Sequence, residues 1–522
     1  MRALVQMIGG DLAVASCLRD SSKIIAPAST YPFLIAQRAK DKPLLIVTSS
    51  SRGAEDLAND LRELHGHVLE FPAWETLPHE RLSPRSDTVA RRLATLASLA
   101  APNNENTIVV APIRAVIHRF IADLASAPLQ TLEIGSEVDL TTLITHLTEL
   151  AYTRTDLVEK RGEFAVRGGI IDLFLPLSEH PVRIDFFGDE IEEMKYFDVA
   201  DQRTQEPVTE VIEILPCREF ILTPEVQARA AALEEKFPSA SEILNKIATG
   251  ISCDGMESLI PMLVDELETI AERMPKTCEV IFLDDERIKS RGADLISTND
   301  EFFQAAWSSA SLGGDAPLPV EATTYLDWQA LHEVISKCGL TIRSLNSFGS
   351  DLDKEATFLD FTPVEPMRGD SERAIELLRQ GLSENKSVIF STSGHGMMER
   401  YAGIFRSADL PVHTLETLNA VPTKGIIYLC RSAIAYGFSS DESAVLFVTE
   451  RDLSGSKSSG RDSAKMPSKR KQAVDPLELK SGDFVVHEQH GIGRYIEMVS
   501  RTVGGVTREY LVIEYASAKR GQ

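Results

Sequence analysis

No apolar run in the 522 residues approaches the roughly 20 needed to cross a bilayer. The first twenty, MRALVQMIGGDLAVASCLRD, lack a basic segment followed by an apolar core and a small-residue cleavage site. Membrane insertion and secretion are therefore not indicated, and the expected location is the cytoplasm. Cysteine is scarce: Cys17, Cys217, Cys253, Cys278, Cys338 and Cys430 are scattered, with no C-x₂-C pair, so neither a zinc site nor a disulfide framework is implied. No G-x-x-x-x-G-K-[ST] loop occurs, and no Ser/His/Asp or Cys/His set assembles from local signatures. Positive charge is in deficit as well. A net charge of −24 opposes attachment to a phosphate backbone, which rests on counterion release by Lys and Arg. Nucleic-acid contact then requires a local basic patch or sequence outside these residues.

The chain does have enough length for three or four domains and an ordinary globular composition, 43% hydrophobic and 25% charged. KPLLIVTSS at 42–50 reads as a short strand buried on both faces, and RGAEDLANDLREL after it has helical spacing through Leu57, Leu61 and Leu64. TIVVAPIRAVIHRF at 107–120 repeats the pattern, so a doubly wound α/β layer is expected. Helical character returns at 223–237, with Thr223 as N-cap and Pro224 in the first turn. CEVIFLDDERIKSR and DEFFQAAWSSA then read as a strand followed by helices. From 350 to 453 a further α/β unit follows, built on SERAIELLRQGLSEN, KSVIFSTSG, GIIYLCRSAIAYGF and SAVLFVTERDL.

Between 133 and 205 the period changes to two. VRIDFF puts Val182, Ile184 and Phe186 on one side of a strand and Arg183, Asp185 and Phe187 on the other, leaving an aromatic among charges. Gly188-Asp189 is a two-residue hairpin turn, and Arg167 stands beside a Gly-Gly pair suited to a bulge or bend. The expectation is an inserted antiparallel sheet showing Arg167, Arg183 and Phe187 to solvent. Arg and aromatic residues are what interfaces use, so this face reads as a protein-docking surface; the alternative is that Phe187 tucks under a loop.

Residues 454–475 carry six basic against two acidic residues and no aromatic, which suits a flexible basic linker. Lys469-Arg470-Lys471 within it reads either as a solvated run or as a nucleic-acid contact. The last segment, 476–522, alternates through DFVVHEQHGIGRYIEMV and REYLVIEY around a VGGV turn, as a small barrel does. Leu511, between Arg508 and Tyr510, is either barrel core or part of an exposed edge.

Several of these blocks resemble one family. The 161–203 stretch is similar to the domain shared by the excision-repair protein UvrB and the bacterial transcription-repair coupling factors (Mfd). FPAWETLPHERLSPRSDTVARRLATL at 71–96, DGMESLIP at 254–261 and residues 482–522 resemble the coupling factors in particular, and IIAPASTYPF at 24–33 resembles their actinobacterial members. The resemblance implies an α/β multidomain chain: a degenerate P-loop-type (RecA-like) module at 1–132 and 206–349, the inserted β domain at 133–205, a further α/β domain, the linker, and a truncated Tudor/CarD-like barrel. It implies that Arg167, Arg183 and Phe187 contact UvrA, and that Leu511, flanked by Arg508 and Tyr510, contacts the RNA polymerase β subunit. In the family's nucleotide position this chain reads IIAPASTYPFLIAQ, with no Gly or Lys and with Pro27 and Pro32 removing N–H donors, so no ATP site is expected here. ATP, Mg²⁺ and most DNA contact are expected of motor domains beyond residue 522, the chain being read as a fragment or truncated product. The runner-up is a UvrB-type ATP-dependent helicase subunit, which micromolar ATP binding would favour; a CarD-type regulator would leave the first 450 residues unexplained.

Three minor candidates complete the reading. His487 and His490 read as structural rather than metal-binding, Gly394-His395-Gly396 as a tight β-α turn rather than a phosphate loop, and Asp284-Asp285-Glu286 as a solvated loop rather than a cation site.

Overall fold

A computed structural model describes residues 1–77, 82–102, 106–122, 124, 130–311, 325–350, 353–454, 481–487, 491–503 and 506–515. The chain divides into two compact units, 1–466 and 467–522, each described by itself.

Within the first unit, seven strands form one sheet in the order Ala356–Phe358, Lys23–Ile25, Thr341–Asn346, Glu279–Leu283, Leu44–Thr48, Ile108–Pro112 and Val68–Glu70. Every pair is parallel. Leu44–Thr48, Ile108–Pro112 and Glu279–Leu283 are buried at every position, as strands covered on both faces must be. The helix Ser51–Leu64 starts where Ser50 accepts a bond from the Gly53 N–H, and it buries Leu57, Leu61 and Leu64 as the spacing predicts. One element differs from expectation: the segment after Leu283 is a single helix, Asp285–Ser311, rather than two.

A second sheet follows the order Thr362–Pro363, Phe438–Ser440, Val445–Thr449, Ser387–Thr392, Ile427–Arg431 and Val412–Leu415, its last four strands parallel. The two layers share one apolar core. Phe33, from the helix Tyr31–Arg38, lies edge-on to Phe438 at 5.3 Å and to Phe447 at 5.7 Å, and all three rings are fully buried.

The β domain is a six-stranded sheet ordered Thr204–Pro207, Glu190–Phe197, Val182–Phe187, Ile170–Leu173, Glu163–Arg167 and Thr153–Arg154. Its entry and exit strands, Gln130–Leu132 and Ile212–Ile214, pair with each other and pack in the same core. A helix absent from the sequence reading, Leu140–Glu149, covers the apolar face with Leu143 and Leu147. Asp139 caps it, its carboxylate accepting from the Thr142 N–H at 2.7 Å.

The second unit contains three antiparallel strands, Phe484–His487, Gly491–Val503 and Val506–Tyr515. The expected linker lies outside the described residues, apart from Ser454. Among the described residues no helix is long and apolar enough to cross a membrane.

Candidate functional site: two docking surfaces

Strand register builds the first surface. Val182 and Ile184 are buried in the domain core, and Phe186 packs partly against it. The pairing shifts between Asp185 and Phe186, a bulge that twists the hairpin end. Beyond it Phe187 pairs with Glu190 across a turn in which Gly188 has φ +66°, a conformation glycine adopts without strain. The Phe187 ring is 77% exposed, so it does not tuck under a loop. Arg167 is also exposed, and its Nη2 donates to the Asp156 carbonyl at 2.7 Å.

Arg183 is different. The expectation of a second solvent-facing guanidinium is corrected, because the side chain is only 20% exposed and is held from three sides. Asp172, 2% exposed, stands directly opposite it in the sheet and accepts from Nε at 2.7 Å and from Nη2 at 2.8 Å. The Gln202 carbonyl accepts from Nη1 at 3.4 Å, and the guanidinium carbon lies 4.8 Å from the Phe197 ring centroid. The bond to Asp172 raises the Arg183 pKa above its ordinary value. Phe197 belongs to a small second core with Val158, Ala165 and Phe174, which covers part of the face that alternation marked as open. The lone acid in the apolar run IIDLF was the available sequence signal, since an unpaired buried carboxylate is costly and demands a cation across the hairpin. The same domain has an open depression lined by Gly169, Ile170, Asp185, Phe186, Glu192 and Glu193.

Ser83 joins the blocks at 71–96 and 254–261: its hydroxyl donates to Glu257 at 2.6 Å and accepts from the Gly255 N–H at 2.9 Å. Arg92, fully buried, is paired with Glu219 through Nε and, at 3.2 Å, through Nη2. The Trp74 indole N–H donates to the same carboxylate at 3.1 Å, and the guanidinium lies 4.0 Å from the Phe71 centroid. Arg218 bonds Ser83 and, at 2.9 Å each, Glu257 and Asp254. Residues 215–220, leaving the β domain, are thereby tied to both blocks. Beside them His118 is 3% exposed, its ring 4.4 Å from Trp74, and its Nε2 has no hydrogen-bond partner among the described residues.

Burial, with Arg92, Arg114 and Arg119 nearby, lowers the His118 pKa well below its ordinary 6.5. As pH falls below 6.5, the unfolded chain takes up a proton that the folded chain refuses, so stability drains away toward the folded pKa, by up to about 1.4 kcal/mol per pH unit. Thermal melts from pH 8 to 5 should show this acid limb, and His118→Phe should flatten it. An unchanged limb in that variant would assign the loss to other groups.

Asp284, at φ +58°, accepts from the Ser347 N–H and Oγ at 2.7 Å each and from the Tyr31 hydroxyl at 3.2 Å, so it ties the C-terminal ends of two inner strands to the Tyr31–Arg38 helix. Gly394 caps the helix His395–Ser407. His395 is exposed and lies 3.2 Å from Glu416. His490 lies outside the described residues. Among those described, no three His, Cys, Asp or Glu side chains could hold a metal.

The second surface is the three-stranded sheet. Leu511 pairs with Met498 and Ile513 with Tyr495, on one face; Tyr495 is 7% exposed and Leu511 38%. Leu511 thus sits at the rim of the apolar face, half in water. The backbone of Arg508 and Tyr510 continues the same strand, but their side chains lie outside the described residues. Phe484 and Ile492 are exposed at 80% and 69%.

Residues 131–220 match the UvrB interaction domain family, and residues 479–521 the CarD-like/TRCF RID domain family. Over 524 residues the chain is 39% identical to the transcription-repair-coupling factor of Mycobacterium tuberculosis (strain CDC 1551 / Oshkosh), covering 96% of this chain and 42% of that protein. Identity is 28% to the Myxococcus xanthus protein of the same name, over 91% of this chain and 42% of the relative. It is 27% to that of Escherichia coli (strain K12), over 99% and 44%. The chain spans about two fifths of the length of the curated relatives it matches. Similarity to the transcription-repair-coupling factors thus runs through nearly all of this chain, and the two domain matches fall on the two candidate surfaces.

Proposed function

We propose that this chain is the recruiting part of a transcription-coupled nucleotide-excision repair factor, with the β domain receiving UvrA and the C-terminal sheet docking on the RNA polymerase β subunit. The observation that carries the reading is Phe187, a large ring held in water at the end of a rigid hairpin with Arg167 on the same sheet face. An exposed aromatic carried on a paired strand, with an arginine on the same face, supplies the residue types that interface hot spots use. Two docking modules in one chain raise the local concentration of repair proteins at a stalled polymerase.

On this reading the seven-stranded sheet is a RecA-like layer whose nucleotide site has been lost, and the C-terminal strands are part of a small barrel. Tyr31 supports the first point. It is 5% exposed, its hydroxyl reaches Asp284, and it fills the corner after the first strand where a phosphate loop would lie. ATP hydrolysis and DNA translocation then belong to other parts of the full-length protein. The UvrB-type helicase alternative is not favoured, since similarity to coupling factors runs through nearly all of this chain.

Phe187→Ala should weaken UvrA binding by about 2 kcal/mol or more, roughly thirtyfold in Kd, while the melting temperature moves by no more than about a degree or two. Leu511→Arg should separately abolish β-subunit binding and leave UvrA binding intact. Titrations of each variant against both partners check this. Unchanged UvrA affinity in Phe187→Ala would refute the first surface, and unchanged polymerase affinity in Leu511→Arg the second.

A further inference from the structure

We infer that Asp172 is a positioning residue of the UvrA-facing surface, acting by clamping Arg183. The inference rests on the proposed UvrA reading and deepens it. Three of the five guanidinium N–H bonds are engaged inside the sheet, two by the buried carboxylate and one by the Gln202 carbonyl, and the Phe197 ring lies close to the planar group. What remains for a partner is one edge of a fixed plane, at a side-chain exposure of one fifth.

Two consequences follow. The rotamer freedom of a long Arg side chain is already lost before the partner arrives, so each new hydrogen bond forms at little entropic cost. The charge is also already neutralised by Asp172, so the edge suits an uncharged acceptor such as a backbone carbonyl or side-chain amide. Arg167 donates to a neutral group, the Asp156 carbonyl, so among the described residues its charge is not paired with a carboxylate and it suits an acidic partner. The surface thus offers two arginines of different electrostatic character, a distinction residue type alone does not carry.

The test measures affinity for purified UvrA by titration, at about 50 and 200 mM salt, with melting temperature recorded for every variant. Asp172→Asn keeps the shape and removes the clamp's charge; Arg183→Lys keeps the cation and loses the bidentate geometry. Each should weaken binding about tenfold. The Asp172→Asn loss should vanish in an Arg183→Ala background, because Asp172 acts only through that side chain. The loss in the Asp172→Asn/Arg183→Ala double variant, which removes a neutral pair, should vary little with salt, whereas the loss in Arg167→Ala should shrink at the higher salt. Arg183→Lys binding as tightly as the unaltered chain overturns the inference, as does an Asp172→Asn loss of equal size with and without Arg183. Should Asp172→Asn fail to fold, Arg183→Lys and Phe197→Leu carry the decision by the same criterion. If the unaltered chain does not bind UvrA, the parent reading fails and takes this one with it; if it binds and Phe187→Ala weakens it, a null result for the clamp variants sinks the clamp alone.

Discussion

Glu219→Ala should destabilise the first unit by about 3–5 kcal/mol. The carboxylate is 1% exposed and neutralises Arg92, which has no exposure at all. Removing it leaves a guanidinium among Phe71, Phe120 and Trp74 with no counter-ion, and leaves the Trp74 N–H without its acceptor. An aromatic wall stabilises a cation by only about 2 kcal/mol, too little to replace a buried ion pair. Arg92→Met combined with Glu219→Leu should recover much of the loss, because a buried pair is costly chiefly when broken, while the Trp74 N–H would still cost about 1–3 kcal/mol. Urea unfolding of the three proteins at pH 7 measures both differences. A loss below about 1 kcal/mol in Glu219→Ala would mean that water reaches Arg92.

The pair also explains why the residues around it were legible only as unassigned blocks. Trp74, Arg92 and Glu219 are separated by up to 145 positions, and nothing local in FPAWETLP or in PCREF states that one tryptophan and one arginine share one carboxylate. Alternation and helical spacing are local signals, and what they reported survives in the structure: the buried strands, the Ser51–Leu64 helix, the Gly188 turn and the exposed Phe187 ring. Arg183 shows where such signals stop. Period two puts it on the outer face, correctly, but does not reveal that residues 198–203 fold back over that face and bring the Gln202 carbonyl to the guanidinium. The Leu140–Glu149 helix was a different kind of omission. Asp139 followed by Leu140, Leu143 and Leu147 is a capped helical stripe, and the surrounding β pattern masked it.

Phe33→Ala should cost about 3–5 kcal/mol and should do so for both α/β layers at once. The ring is fully buried in an edge-on cluster with Phe438 and Phe447, and Phe361 extends the cluster against Phe438 at 5.5 Å. Its helix, Tyr31–Arg38, follows the first strand of the seven-stranded sheet, whereas Phe438 and Phe447 belong to the second sheet. Deleting the ring therefore opens a cavity between the two layers. If they fold as one cooperative body, calorimetry should show a single transition shifted downward. A second transition that stays at the original temperature would show instead that the second sheet melts independently. The same packing bears on nucleotide binding. Introducing glycine and lysine into the PASTYP segment would not by itself create a phosphate site, because Tyr31 and Pro32 are buried and Phe33 is committed to the second sheet. Only a variant that also freed this helix from Phe438 and Phe447 would expose its first N–H groups, and it would lose the apolar contacts that join the layers.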